Sequence, residues 1–276
     1  VGGFVRMQVG IALRNMGAGA TSEILSGAAK FADDTGLDHL WVLDHIAIPP
    51  DDSEGSGGRY VDPLATLAFI SGITKRIQIG TSVLVLPYRE KFTTAKLIAS
   101  IQDLSNERLL LGVGPGWMEP EFKVVGKDIK NRGTDTDLTI DFINECFENH
   151  IMIENEQDFI FSPRPKKPPI LIGGNSTKAL QRVLKRGDGW MPMITDDEAL
   201  ISACAKLTEN MLSSRKIIPT IIPLRRLNLV DLNESVDTIL KLKEAGCTGV
   251  EHFQSYATLD EFKYIADRLL EIKNKV

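Results

Sequence analysis

Cysteine is scarce in this chain, with three in 276 residues, at Cys146, Cys204 and Cys247, and no CxxC pair. That count and spacing exclude a disulfide scaffold and a structural zinc site; no metal is expected. They fit a reducing, cytoplasmic setting in which each thiol is a small buried apolar group. No apolar run approaches the ~18 residues that a membrane-spanning helix needs. The opening VGGFVRMQVG has neither the basic segment nor the apolar core of a secretion signal, so no membrane partner is expected. Positive charge is not in excess: 32 Lys and Arg stand against 37 Asp and Glu, a net charge of −5. Without a basic arm the chain has no electrostatic footprint for nucleic acid. A GxGxxG turn after the first strand candidate is also missing, since the chain there reads RNMGAGAT. Its absence argues against an open dinucleotide-binding sheet.

What is present is a regular alternation of short apolar runs and amphipathic stretches. The composition, 43% hydrophobic and 25% charged, is that of a globular protein. Residues 1–6 precede Met7 and read as a leader outside the fold. Strands are expected at Val9–Leu13, His39–Leu43, Ile77–Leu86, Arg108–Val113, Pro169–Ile172, Trp190–Ile194, Ile217–Ile222, Leu227–Val230 and Gly249–Phe253. Helices are expected over 22–35, from Asp62-Pro63 to Ile73, and over 93–104, 134–148, 176–186 and 233–245. A last helix opens on the capping box Thr258-x-x-Glu261. Residues 47–60 form a long surface loop, and 151–168 a small excursion. Strands alternating with helices imply a parallel α/β sheet, and RLLLGV and PPILIG have the continuous apolar character of strands buried on both faces. No linker divides residues 1–276. About eight strands in one domain of this length favour a (β/α)8 TIM barrel.

In such a barrel the chemistry sits where the strands end. The second strand ends on Asp44-His45. These are either an acid–base pair or a strand-end cap beside a packed histidine. The third runs into Ser82-Val83 and then Pro87-Tyr88-Arg89, and the fourth into Gly112-Val113-Gly114-Pro115-Gly116-Trp117. Alternating glycines there suit either backbone approaching a flat ring or a plain barrel bend. The fifth ends on Gly173-Gly174-Asn175-Ser176, either a phosphate cradle at a helix start or an ordinary tight turn. Trp117 and Trp190 line a pocket or pack the core.

The stretches TGLDHLWVLDHI, IQIGTSVLVLPYREKFTTAKLIASIQDLSNERLLLGVGPGWMEPEF, Arg132-Gly133 and PPILIGGNSTKALQRVLKRGDGWMP are jointly similar to the bacterial luciferase-like flavin monooxygenase superfamily. Within it, the chain most resembles the coenzyme F420-dependent oxidoreductases. The resemblance implies a flavin or deazaflavin, FMN or F420, at the barrel mouth. It also implies a non-proline cis peptide at Ser82–Val83 behind the ring, a ring contact from Asp44, an acid/base role for His45 and a phosphate site at Gly174–Ser176. Gly114, Pro115, Gly116, Gly173 and Trp190 join the expected cofactor surface. Pro49, Tyr88, Arg89 and Trp117 are expected to shape a pocket for a small organic substrate. Asp135 and Leu138 depart from the family pattern, and Glu119 and Glu121 receive no role. A homodimer is implied by resemblance alone. The expected activity is hydride transfer or monooxygenation. The alternatives are a non-catalytic ligand-binding barrel and a phosphosugar isomerase or aldolase, which would need a strand-end Lys or Glu.

Overall fold

The computed structural model of the protein describes residues 6–51, 55–214 and 220–276. In chain order the strands are β1 (Gln8–Ala12), β2 (His39–Val42), β3 (Gln78–Thr81), β4 (Leu84–Val85), β5 (Leu109–Gly114), β6 (Ile151–Glu154), β7 (Gln157–Ile160), β8 (Ile170–Gly173), β9 (Gly189–Met191), β10 (Thr220–Ile221), β11 (Leu224–Arg225) and β12 (Gly249–His252). The helices are α1 (Ser22–Thr35), α2 (Pro63–Ser71), α3 (Lys91–Leu104), α4 (Glu119–Val124), α5 (Arg132–Glu148), α6 (Thr177–Arg186), α7 (Asp197–Ser214), α8 (Leu232–Glu244) and α9 (Leu259–Lys273). Local chemistry starts and stops them. Asp62 accepts from the amides of Leu64 and Ala65 to open α2 over Pro63, and Thr258 and Glu261 form the capping box of α9. Gly36 ends α1 in the left-handed region, at φ 88°.

The main sheet is parallel throughout and runs β10-β9-β8-β5-β3-β2-β1-β12-β11, with β4 added to β5. β6 and β7 form a separate antiparallel hairpin, which is the excursion expected within 151–168. Strands β5 and β8 are buried at every position, as apolar runs covered on both faces should be. Alternate residues enter different cores: Leu40 and Val42 pack outward against the helices, whereas Trp41 joins Leu110, Leu171, Met191 and Ile222 on the inner face. The main sheet is therefore a curled, parallel α/β layer with helices outside. Its two end strands belong to one stretch of chain. Ile222 donates to the Trp190 carbonyl at 3.0 Å on one side, and Thr248 donates to the Ile221 carbonyl at 2.9 Å on the other.

Three expectations need correction. Residues 197–214, expected to carry no element, form α7. Leu200, Cys204 and Leu207 are fully buried at the three- and four-residue spacing of a helical stripe, a signal present in the sequence. The strand expected at Leu227–Val230 is instead β11, three residues earlier; Val230 is 89% exposed and cannot belong to a buried strand. The long third strand divides into β3 and β4 at Ser82–Val83, whose peptide is cis. Residues 217–219 of the strand expected at Ile217–Ile222 lie outside the described residues, as do 1–5 of the leader and 52–54 of the long loop.

Candidate active site

The C-terminal end of β2 is held by a residue that sequence reasoning passed over. Asn15, fully buried just beyond β1, accepts from the Leu43 amide at 2.9 Å and donates to the carbonyls of Leu43 (2.8 Å) and Val61 (2.7 Å). One amide thus ties the strand end to the far side of the 47–60 loop and sets where Asp44 and His45 emerge.

Asp44 is buried and fully engaged. Its Oδ2 accepts from the Val85 amide at 2.8 Å and from Arg89 at 2.6 Å, and its Oδ1 accepts from Arg89 at 2.9 Å. Arg89 also reaches Asp62, the cap of α2, at 2.8 Å. Burial pushes the Asp44 carboxyl up, and the bidentate guanidinium works against it. The expected ring contact and the expected pocket arginine therefore form a clamp joining the ends of β2, β4 and α2.

His45 is positioned by Glu121. The Glu121 carboxylate, fully buried at the start of α4, accepts from the amides of Ile46 (2.6 Å) and Ala47 (3.0 Å), from His45 Nδ1 (2.9 Å) and from the Tyr88 hydroxyl (2.7 Å). Burial alone would raise its pKa. The donors outweigh that, the largest being His45 and the Ala47 amide, and bring Glu121 down to about 2. An ionised carboxylate only accepts, so His45 donates to it from Nδ1. The same carboxylate occupies the hydroxyl of Tyr88, whose pKa burial and Glu121 both raise. Tyr60 and Trp117 flank the imidazole at 5.1 and 6.0 Å between ring centroids. Trp117 is 67% exposed, beyond a left-handed Gly116 (φ 73°), and Pro49 is half-buried in the adjoining loop.

Val83, just after β3, packs against the ends of β5 and β8. A Cβ on Gly114 would lie 2.7 Å from its Cγ2, and one on Gly173 would lie 2.9 Å from its Cγ1. These two glycines make room for Val83 rather than leaving bare backbone. Gly174 turns through φ 106° into α6, and the indole of Trp190 donates to its carbonyl at 2.8 Å. Trp190 is wholly buried, so it holds the turn from behind. Ser176 caps α6 by accepting from Ala179, and Asn175 accepts from Met193. In front of this turn lies a cavity of about 600 Å³ that Pro115, Ser176 and Lys178 help to line.

Three buried ionisable groups lie in β2 and β12: His252, which the sequence places at the end of the last strand, and His39 and Glu251, to which sequence reasoning gave no role. Burial pushes His39 and His252 down to about 4, so both are neutral near pH 7. It pushes Glu251 up to about 8, with the Ser82 side chain partly offsetting it. Cys204 and Cys247, distant in sequence, bring their sulfurs within 3.7 Å. Among the described residues no cluster of His, Cys, Asp and Glu is arranged to hold a metal, and no helix is long and apolar enough to cross a membrane.

The sequence profile described as luciferase-like monooxygenase matches residues 7–215. An uncharacterised protein of Mycobacterium tuberculosis is 27% identical over 241 residues, covering 80% of this chain and 82% of that protein. The F420-dependent glucose-6-phosphate dehydrogenase of Amycolatopsis mediterranei is 31% identical over 170 residues, which is 58% of this chain and 50% of that one. Among solved structures, the FMN complex of the oxygenating constituent of 3,6-diketocamphane monooxygenase from Pseudomonas putida superposes with a TM-score of 0.76 at 13% identity, covering 96% of both chains. It shares the fold. The profile match spans most of the chain and includes both the Asp44-His45 corner and the Gly174–Ser176 turn, and the chain belongs to the luciferase-like monooxygenase family of F420- and flavin-dependent oxidoreductases.

Proposed function

We propose that the protein is a (β/α)8 barrel oxidoreductase that binds F420 or FMN across its strand-end rim and transfers hydride to or from, or oxygenates, a small organic substrate beside His45. The barrel reading rests on residues 220–225, which bond to β9 on one side and to the β12 segment on the other. The observation that carries the cofactor reading is the Val83 platform. It stands between Gly114 and Gly173, one residue from a turn that opens a helix onto a cation-lined cavity. A flat ring fits the platform, and an anionic tail fits the amides opening α6.

The bound group would supply the redox chemistry. The chain's own part is positioning and proton handling. Val83 would support the ring, and the Gly174–Ser176 turn, braced by Trp190, would hold the phosphate. Asp44 and Arg89 fix the loop geometry around them. His45, oriented by Glu121, would take a hydroxyl proton at Nε2 or return one, with Trp117 and Tyr60 limiting where the substrate sits.

Two measurements test this. Titration of the protein with F420 and with FMN, followed by absorbance and fluorescence, should show saturable binding of at least one. Saturation by neither would remove the cofactor reading. His45→Ala should lower kcat about 10²-fold or more while changing the cofactor Kd little. Equal losses in both, or no loss, would reject the acid/base role.

A further inference from the structure

Cys204 and Cys247 stand 43 positions apart in the chain, yet their sulfurs lie 3.7 Å apart. Both are carried on well-held backbone. Cys204 shares the buried stripe of α7 with Leu200 and Leu207 and is wholly enclosed. Cys247, 4% exposed, follows α8 in the turn that enters β12. Its amide donates to the Leu242 carbonyl at 2.9 Å, and the next amide, of Thr248, donates to Ile221 at 2.9 Å. The two segments also approach at a second point. Thr208, one turn beyond Cys204 and bonded to its carbonyl at 3.0 Å, faces Gly246, where a Cβ would lie 3.9 Å from the Thr208 hydroxyl. The packing of α7 on this turn therefore brings the sulfurs together.

The attacking form of cysteine is the thiolate, so surrounding charge decides which sulfur acts first. A hydrogen bond donated by Cys247 holds the Cys204 thiol down and outweighs its burial, with help from the Arg225 guanidinium. The same bond, together with burial, pushes Cys247 up. Arg225 is itself buried in β11 and fixed by the carbonyls of Ile194 and Thr195 and by Asp197, so its charge stays in place. Cys146 differs: it is wholly buried, has no sulfur beside it among the described residues, and is pushed up to about 12, chiefly by burial.

We propose that Cys204 and Cys247 are a peroxide-responsive modification site, a dithiol that closes to a disulfide and locks α7 onto the entry of β12. In the first step the Cys204 thiolate attacks one oxygen of hydrogen peroxide. The O–O bond breaks, the S–O bond of a sulfenic acid forms, and hydroxide leaves. Cys247 then attacks the Cys204 sulfur. The S–S bond forms, the S–O bond breaks, and the Cys247 proton leaves with the hydroxyl as water. Over both steps each sulfur loses one electron and the peroxide takes up two. Burial selects a small oxidant such as hydrogen peroxide over a bulky disulfide, and cellular thiols reopen the bond. The link closes a loop holding β10, β11 and α8. This site is separate from the cofactor rim and does not rest on the cofactor reading.

The test treats the reduced full chain with hydrogen peroxide, alkylates the remaining thiols after unfolding, and maps unreduced peptides by mass spectrometry. The peptides holding Cys204 and Cys247 should appear joined within one chain, with Cys146 alkylated, and dithiothreitol should part them. The link should raise Tm by about 5–10 °C, reversibly. Cys146→Ser should keep that rise and Cys247→Ala should lose it. Dimedone should trap a sulfenic acid at Cys204 in Cys247→Ala, and none at Cys247 in Cys204→Ala. The wild-type map and melt decide the matter even where a variant does not fold. Unlinked wild-type cysteines, a link through Cys146 or between chains, sulfinic acid at Cys204 in place of the link, or an unchanged Tm would each overturn the proposal.

Discussion

Glu121 shows how much a single buried carboxylate organises here. It accepts from Nδ1 of His45, accepts from two backbone amides that shape the start of the 47–60 loop, and engages Tyr88. Nothing in its sequence context marks it, because it follows Trp117-Met118-Glu119-Pro120 as one acid among two. Asp44 and His45, by contrast, are legible as a polar pair ending an apolar strand. Their surroundings separate only in three dimensions, where Arg89 grips Asp44 and Glu121 accepts from His45. Glu121→Gln should keep the fold, lower kcat/KM by at least about tenfold and cost ~1–3 kcal/mol of stability at neutral pH. The folded carboxyl lies near 2 against an ordinary 4.5, so its stabilising contribution is present above 4.5 and disappears as pH falls toward 2. Urea unfolding of wild type and variant at pH 7 and pH 3 should therefore show a shrinking deficit; a deficit equal at both values would contradict the assignment.

At the scale of elements, the start of α6 depends on a residue behind it. The Gly174 carbonyl turns toward the buried Trp190 indole, and φ 106° at Gly174 is open to glycine but strained for other residues. Trp190→Phe keeps the ring volume close but strands that carbonyl, so a loss of ~1–2 kcal/mol and weaker cofactor binding are expected. Chemical denaturation and cofactor titration read the two effects separately, and a variant with intact affinity would show that the turn does not need the brace. Most elements were readable because caps and apolar periods agree: Asp62-Pro63 opens α2, Thr258 and Glu261 open α9, and LLLGVG is a buried strand. Helix α7 was missed although Leu200, Cys204 and Leu207 carry the helical period, since polar residues around them resemble a connection. The place of β11 was not readable: a two-residue strand has no period of its own, and its pairing with β12 determines it.

At the scale of the whole molecule, the curled sheet places Glu251 where water does not reach. Its folded value near 8 exceeds the ordinary 4.5, so the folded chain keeps a proton that the unfolded chain has released. Stability must then fall as pH rises from about 4.5 to 8, with the loss complete above that window. Glu251→Gln removes this dependence, and its advantage over wild type should grow from pH 5 to pH 9 by on the order of 3–5 kcal/mol. Thermal melts across that range check it, and a pH-independent difference would mean that the carboxyl is solvated or paired.

The amino-acid sequence by itself determined the strand–helix alternation, most element boundaries, the rim residues and the family, because caps, glycines and apolar periods act over a few neighbouring positions. Only the tertiary structure decided which carboxylate serves His45, which glycines yield to Val83, that Trp190 braces a turn, and that Cys204 and Cys247 meet. Those outcomes depend on contacts between residues tens of positions apart, and local sequence carries no record of which distant partner arrives.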